Sequence, residues 1–135
     1  IRTQDISIAA SNVSAVPEVR AFLFDLQRDL AKKNHVVMDG RDIGTVVLPN
    51  AQVKIFLTAS PEERAQRRYL ELREKGLEAD YDQVLTELKQ RDYDDSHRAV
   101  APLVPAEDAI MVDSTGLTRE QAFQRLLRTV QDKIS

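Results

Sequence analysis

His35-Val36-Val37-Met38-Asp39-Gly40-Arg41-Asp42-Ile43-Gly44-Thr45 runs from four residues rich in apolar side chains into a cluster of aspartate, arginine and glycine. A short apolar run closed by Asp39-Gly40 reads as a buried strand of the kind found in parallel sheets, covered on both faces. Ligands of such sheets bind beyond the carboxyl ends of the strands. That places Asp39, Arg41 and Asp42 where chemistry is expected. A carboxylate leaving a buried strand beside glycine can orient a metal ion or its waters. Arg41 can fork onto a phosphate, and Asp42 can accept from a base amine. An Asp-Gly turn carrying a salt-bridged surface arginine explains the same residues, and the stretch alone does not choose between the two.

Outward from this run, β-rich segments alternate with helical ones. Val16-Pro17-Glu18 opens a helix with Pro in its first turn, and Val19, Phe22, Leu23, Leu26 and Leu30 give it an apolar face ending near Lys33. Val53–Leu57 is a second strand. Ser60-Pro61-Glu62-Glu63 starts a helix that runs to about Lys75, with Gly76 as its stop. Another helix spans about Asp80 to Arg91 or beyond. Ala109–Asp113 is a third strand, and Thr118-Arg119-Glu120-Gln121 caps a last helix ending near Lys133. Strands separated by long helices predict βαβ units on a parallel sheet. Three strands make a thin sheet for a fold buried on both faces, so the sheet reads as incomplete. A start at Ile1 rather than Met predicts a processed, trimmed or partly observed chain.

Composition narrows the function. The 135 residues are 42% hydrophobic and 30% charged with a net charge of −3, so no basic excess points to nucleic acid. With no cysteine there is no disulfide framework, thiolate metal site or cysteine nucleophile. Two histidines, His35 and His97, are too few for a His-built metal centre. No apolar run resembles a membrane span or signal peptide, and a cytoplasmic protein is the expectation.

Three further groups carry possible chemistry. Arg64, Arg67 and Arg68 share a helical face, where Glu63, Glu71 and Glu74 can neutralise them; taken alone, the cluster reads as a solvated mixed-charge face rather than an anion site. Arg91, Asp95 and Arg98 align if their helix persists, either as sugar and phosphate contacts or as an internal ion-pair ladder. Ser11 and Arg20 flank the start of the first predicted helix, and Ser11 reads locally as a capping residue. Aromatic residues, at 5%, are too sparse for a single-strand stacking platform.

Read together, these blocks resemble bacterial cytidylate kinase. The resemblance runs through Ile1-Arg2-Thr3, Ala10-Ser11, Pro17-Glu18-Val19-Arg20, the 39–47 stretch, Val53–Leu57 and Arg64-Ala65-Gln66-Arg67-Arg68. It continues through 91–103, Arg-Asp-Tyr-Asp-Asp-Ser-His-Arg-Ala-Val-Ala-Pro-Leu, and Val112-Asp113-Ser114-Thr115. It implies a P-loop kinase-like α/β fold, a nucleoside monophosphate kinase whose parallel sheet is flanked by helices. The implied reaction is transfer of the ATP γ-phosphoryl group to CMP or dCMP, with Mg²⁺ accompanying ATP. It further implies that Ser11, Arg20 and Asp42 meet cytosine, that Arg91 and Asp95 hold the ribose end, and that Arg41 and Arg98 bind the CMP phosphate. Arg64, Arg67 and Arg68 would sit on a short lid near 60–76, and Asp39 would act on Mg²⁺ through water. A monomer is implied, with no nucleic-acid or membrane partner.

One feature of the family is missing. No Gly-x-x-x-x-Gly-Lys-Ser/Thr occurs, and the four glycines cannot supply one. The expectation is a single partial kinase domain, 1–135, without the phosphate-binding loop, the N-terminal strands and most of the CMP-binding insert, and inactive alone. Three rivals remain: a non-catalytic nucleotide-binding fragment, a partly folded fragment with no ligand, and a related small-molecule or nucleoside monophosphate kinase.

Overall fold

A computed structural model describes residues 3–99 and 101–135, apart from the Gln4 side chain. Ile1, Arg2 and Val100, which belong to the blocks quoted above, lie outside the described residues.

The order is α1 (Gln4–Ser14), α2 (Pro17–Lys33), a π-helical turn (Ile43–Val47), β1 (Ile55–Thr58), α3 (Pro61–Glu74), α4 (Tyr81–His97), β2 (Ile110–Asp113) and α5 (Arg119–Ile134). β1 and β2 pair in parallel, with Ile55 opposite Ile110 and Thr58 opposite Asp113. α3 and α4 pack together between them in sequence, and the edge of Tyr69 meets the Tyr81 ring at 6.3 Å. This is the parallel α/β arrangement anticipated from the sequence.

Local chemistry fixes the helix ends. Ser60 accepts from the Glu63 N–H at 3.2 Å, and Pro61 occupies the first position of α3, where no N–H is needed. At the other end Gly76 has φ +75°; its N–H donates to Arg73 O, and the Leu77 N–H reaches Leu72 O. That double closure is a Schellman motif, which requires the left-handed conformation glycine adopts without strain. Thr118 and Gln121 form a reciprocal capping box at α5.

Two elements depart from expectation. Residues 4–14 form a helix that the sequence reading left unassigned, so Ser11 lies within α1 rather than ahead of the first helix. The run 35–38, read as the deciding strand, is irregular and forms no ladder among the described residues. Val37 is wholly exposed. Apolar character signals burial, but a strand also needs a neighbour for its N–H and C=O groups, and among the described residues β1 pairs only with β2.

The core is small. Among the described residues, the buried apolar side chains are Val47, Ala59, Ala65 and Val112. The α2 face reads correctly in period yet stays open, with Phe22 70% exposed and Leu23, Leu26 and Leu30 also exposed. Accessible surface totals 10114 Å², against roughly 7,100 Å² for a compact monomer of this mass. Much apolar surface thus lacks a covering layer.

Candidate functional site

The loop from Asp39 to Asp42 leaves the 35–38 run and lines a cleft of about 170 Å³ with residues of α2, Arg98 and Ala101. Polar groups converge there. Arg20, in the second turn of α2, places Nη2 2.5 Å from Asp42 Oδ2, and both side chains are largely buried. Arg41 Nε lies 3.0 Å from Asp95 Oδ2 on α4. The N–H does not aim at that oxygen, so the buried Nε has charge contact without a hydrogen bond. Such orphaned buried donors are uncommon and mark places where a ligand or water is normally received.

Backbone geometry brings these groups together. Gly40 sits so close to Ile43 that an added Cβ would meet its Cγ1 at 2.9 Å. The π-helical turn follows at once, its wide closure made by Val47 N–H to Asp42 O at 3.2 Å and Leu48 N–H to Ile43 O at 2.7 Å. Turns of this kind are rare and recur at functional sites. Arg28 anchors the turn to α2 by donating from Nε to Val47 O at 2.8 Å, with its guanidinium over the Phe24 ring. Ala101, also lining the cleft, has φ +49°, a left-handed conformation unusual for a residue with a Cβ.

Of the residues singled out in the sequence, Arg20, Asp39, Arg41, Asp42 and Arg98 line this one cleft, and Asp95 joins it through Arg41. α4 extends to His97, so Arg91 and Asp95 do lie on one helix, while Arg98 is its C-cap with extended backbone. Arg91 is exposed and outside the cleft, and so is half-buried Ser11, whose carbonyl accepts from Ser14 Oγ at 3.0 Å. Ser11 caps no helix: the N-cap of α2 is Val16. Ser14, one turn on, lines the cleft instead, as do Gln27, Leu23 and Phe24. Ser14 could have been found from its three-residue spacing to Ser11; Gln27 carries no such signal.

Arg64, Arg67 and Arg68 stand apart from the cleft on α3, each held by a carboxylate. Arg64 forks onto Asp92 of α4 at 3.0 and 2.5 Å, while its Nε donates to Ala59 O at 3.1 Å. Arg67 pairs with Glu63 and Arg68 with Glu71, each at 3.1 Å. The mixed-charge face read from the sequence is therefore formed through Glu63 and Glu71. Hydrogen bonding to Asp92 raises the Arg64 pKa above its already high ordinary value. Hydrogen bonds from Lys75, then Arg68, lower that of the exposed Glu71.

A family profile described as cytidylate kinase matches residues 1–132. The chain belongs to the cytidylate kinase family. It is 59% identical to the cytidylate kinase of Caldicellulosiruptor saccharolyticus over 94% of this chain and 56% of that protein. Against the cytidylate kinase of Pasteurella multocida the identity is 52%, covering 99% of this chain and 59% of the relative. For that of an Enterobacter species it is 53%, covering 100% and 60%. This cytidylate kinase family chain thus spans between 56% and 60% of the length of these relatives. No helix among its described residues is long and apolar enough to cross a membrane.

Magnesium through a single carboxylate fits the donor set. Among the described residues no three His, Cys, Asp or Glu side chains cluster as a protein-built metal cage. Of the two aspartates lining the cleft, Asp42 is held by Arg20, whereas Asp39 is exposed and makes no ion pair among the described residues. Magnesium commonly keeps several waters and takes one or two carboxylates beside substrate phosphates.

Proposed function

We propose that this chain is the nucleotide-reading and lid part of an enzyme that transfers the γ-phosphoryl group of ATP to CMP or dCMP. The observation that carries the reading is the convergence of Arg20–Asp42, Arg41 and Arg98 on one cleft, with Arg41 Nε buried and unbonded. Arg41 and Arg98 supply cationic forks for a monophosphate. Arg20 and Asp42 offer a donor next to an acceptor, the complement of the cytosine O2, N3 and N4-amine edge. Ser11, Arg91 and Asp95 complete the pyrimidine and ribose contacts on closure, and Arg64, Arg67 and Arg68 face the transferring group.

No protein nucleophile is required, since a phosphate oxygen of CMP attacks the γ-phosphorus of ATP and ADP leaves. The residues hold the nucleotide in line and neutralise charge that spreads over the phosphoryl oxygens. Magnesium bound with ATP would supply further charge neutralisation, and Asp39 would be the residue to hold it through water. The triphosphate cradle belongs to a part of the protein outside these 135 residues. The uncovered surface and the fraction of the relatives' length that is matched support that reading.

Assay of the full-length protein with ATP, Mg²⁺ and CMP, UMP or AMP tests the proposal. Rapid CMP turnover is expected, with Asp42→Ala sharply reducing the preference for CMP. Unchanged discrimination in Asp42→Ala would sink the cytosine assignment. Because no phosphate-binding glycine loop occurs in the sequence, a second reading holds for the segment alone: CMP binds calorimetrically without turnover. Turnover by the 135-residue segment would exclude it.

A further inference from the structure

Asp92 entered none of the site assignments above, yet it makes the one bidentate carboxylate–guanidinium fork among the described residues. We propose that Asp92 is a positioning residue for Arg64 and that, with Asp95, it makes α4 a two-carboxylate rail coupling the lid helix to the nucleotide cleft. The inference rests on the phosphotransfer reading of Arg64.

The geometry is specific. Arg64 has five N–H donors; Nε is spent on Ala59 O, just past the carboxyl end of β1, and one N–H of each terminal nitrogen on Asp92. Two donors remain, in a plane fixed from both sides. That fixed plane lies at the ligand-binding end of a parallel strand. One turn farther along α4, and on the same face, Asp95 meets Arg41 of the cleft loop at 3.0 Å. Two arginines from two different elements are therefore placed by carboxylates three residues apart on one rigid helix. A shift of α4 would carry both together.

Stability explains the fork poorly. Both side chains are about one-third exposed, and exposed ion pairs contribute little to folding. What a bidentate fork adds is direction. Without Asp92, Arg64 would keep only its bond to Ala59 O and could rotate about it.

In the full-length protein, kcat and the KM values for CMP and ATP should be measured for Asp92→Asn, Asp92→Glu, Arg64→Gln and the Asp92→Asn/Arg64→Gln double variant. Asp92→Asn is expected to lower kcat about tenfold, leave the KM for CMP nearly unchanged, and have no further effect once Arg64 is Gln. Partial recovery of kcat in Asp92→Glu supports the assignment and covers the case in which Asp92→Asn folds poorly. If Arg64→Gln is slow while Asp92→Asn turns over normally, the positioning role is overturned and the functional reading stands. Multiplicative losses in the double variant overturn it equally. Normal turnover by Arg64→Gln would overturn both the role of Arg64 in phosphoryl transfer and the proposal built on it.

Discussion

Arg20 Nη2 and Asp42 Oδ2 stand 2.5 Å apart across 22 residues of sequence, tying α2 to the loop that forms the cleft floor. The side chains are 22% and 14% exposed, so each would leave a poorly solvated charge if the other were removed. Their pairing lets the cleft present a donor and an acceptor side by side without net charge.

A double-mutant cycle on Arg20→Ala and Asp42→Ala should therefore give a coupling of about 1–2 kcal/mol in urea unfolding. Each single variant should lose more stability than the pair's coupling alone, because a half-buried charge remains. Additive losses would show that the two groups only happen to be neighbours.

Gly76→Ala isolates backbone strain from packing. The residue has φ +75°, and nothing lies within 4 Å of where a Cβ would stand. A loss of roughly 1–2 kcal/mol is expected from the left-handed conformation alone. Unchanged stability would mean that the last turn of α3 frays without cost.

Acid should weaken the β2–α5 turn. Hydrogen bonds from the Thr115 hydroxyl at 2.7 Å and its N–H at 2.9 Å lower the Asp113 pKa. A carboxyl depressed in the folded state binds fewer protons there than when unfolded. Its stabilisation is complete above the unfolded value near pH 4 and declines as pH falls through the folded value. Melting temperature followed from pH 6 to pH 3 should fall, and Asp113→Asn should flatten the fall. Parallel curves for the two proteins would assign acid sensitivity elsewhere, Asp108 beside Lys54 being the next candidate.

Helix ends were readable because their chemistry is local. Ser60, Gly76 and Thr118 each act within four residues of their own position. β1 and β2 were readable for the same reason, as short apolar runs between turn signals. The cleft was legible in part: Arg20, Asp39, Arg41, Asp42 and Arg98 were named from motif order, and they converge. Ser14 and Gln27 were not: Ser14 offers only its three-residue spacing to Ser11, and nothing local distinguishes Gln27 from an ordinary helix residue. Asp92 was hidden for a different reason. Among Asp92, Asp94 and Asp95, only the packing of α3 on α4 tells which carboxylate meets Arg64. The π-helical turn was equally invisible, since Ile43-Gly44-Thr45-Val46-Val47 has the β-branched composition of a strand.

The run 35–38 separates local preference from tertiary context. Its composition favours a strand, yet its N–H and C=O groups find no ladder among the described residues and Val37 is wholly exposed. If the remainder of the protein supplies the neighbouring strand, as the incomplete sheet expected from the sequence would require, amide exchange at Val36, Val37 and Met38 should slow by at least about a hundredfold in the full-length protein relative to the 135-residue segment. The amides of β2, already paired with β1, should change much less. Equal exchange at 36–38 in both proteins would show that the run is irregular by its own preference, and the expected completion of the sheet beside it would be wrong.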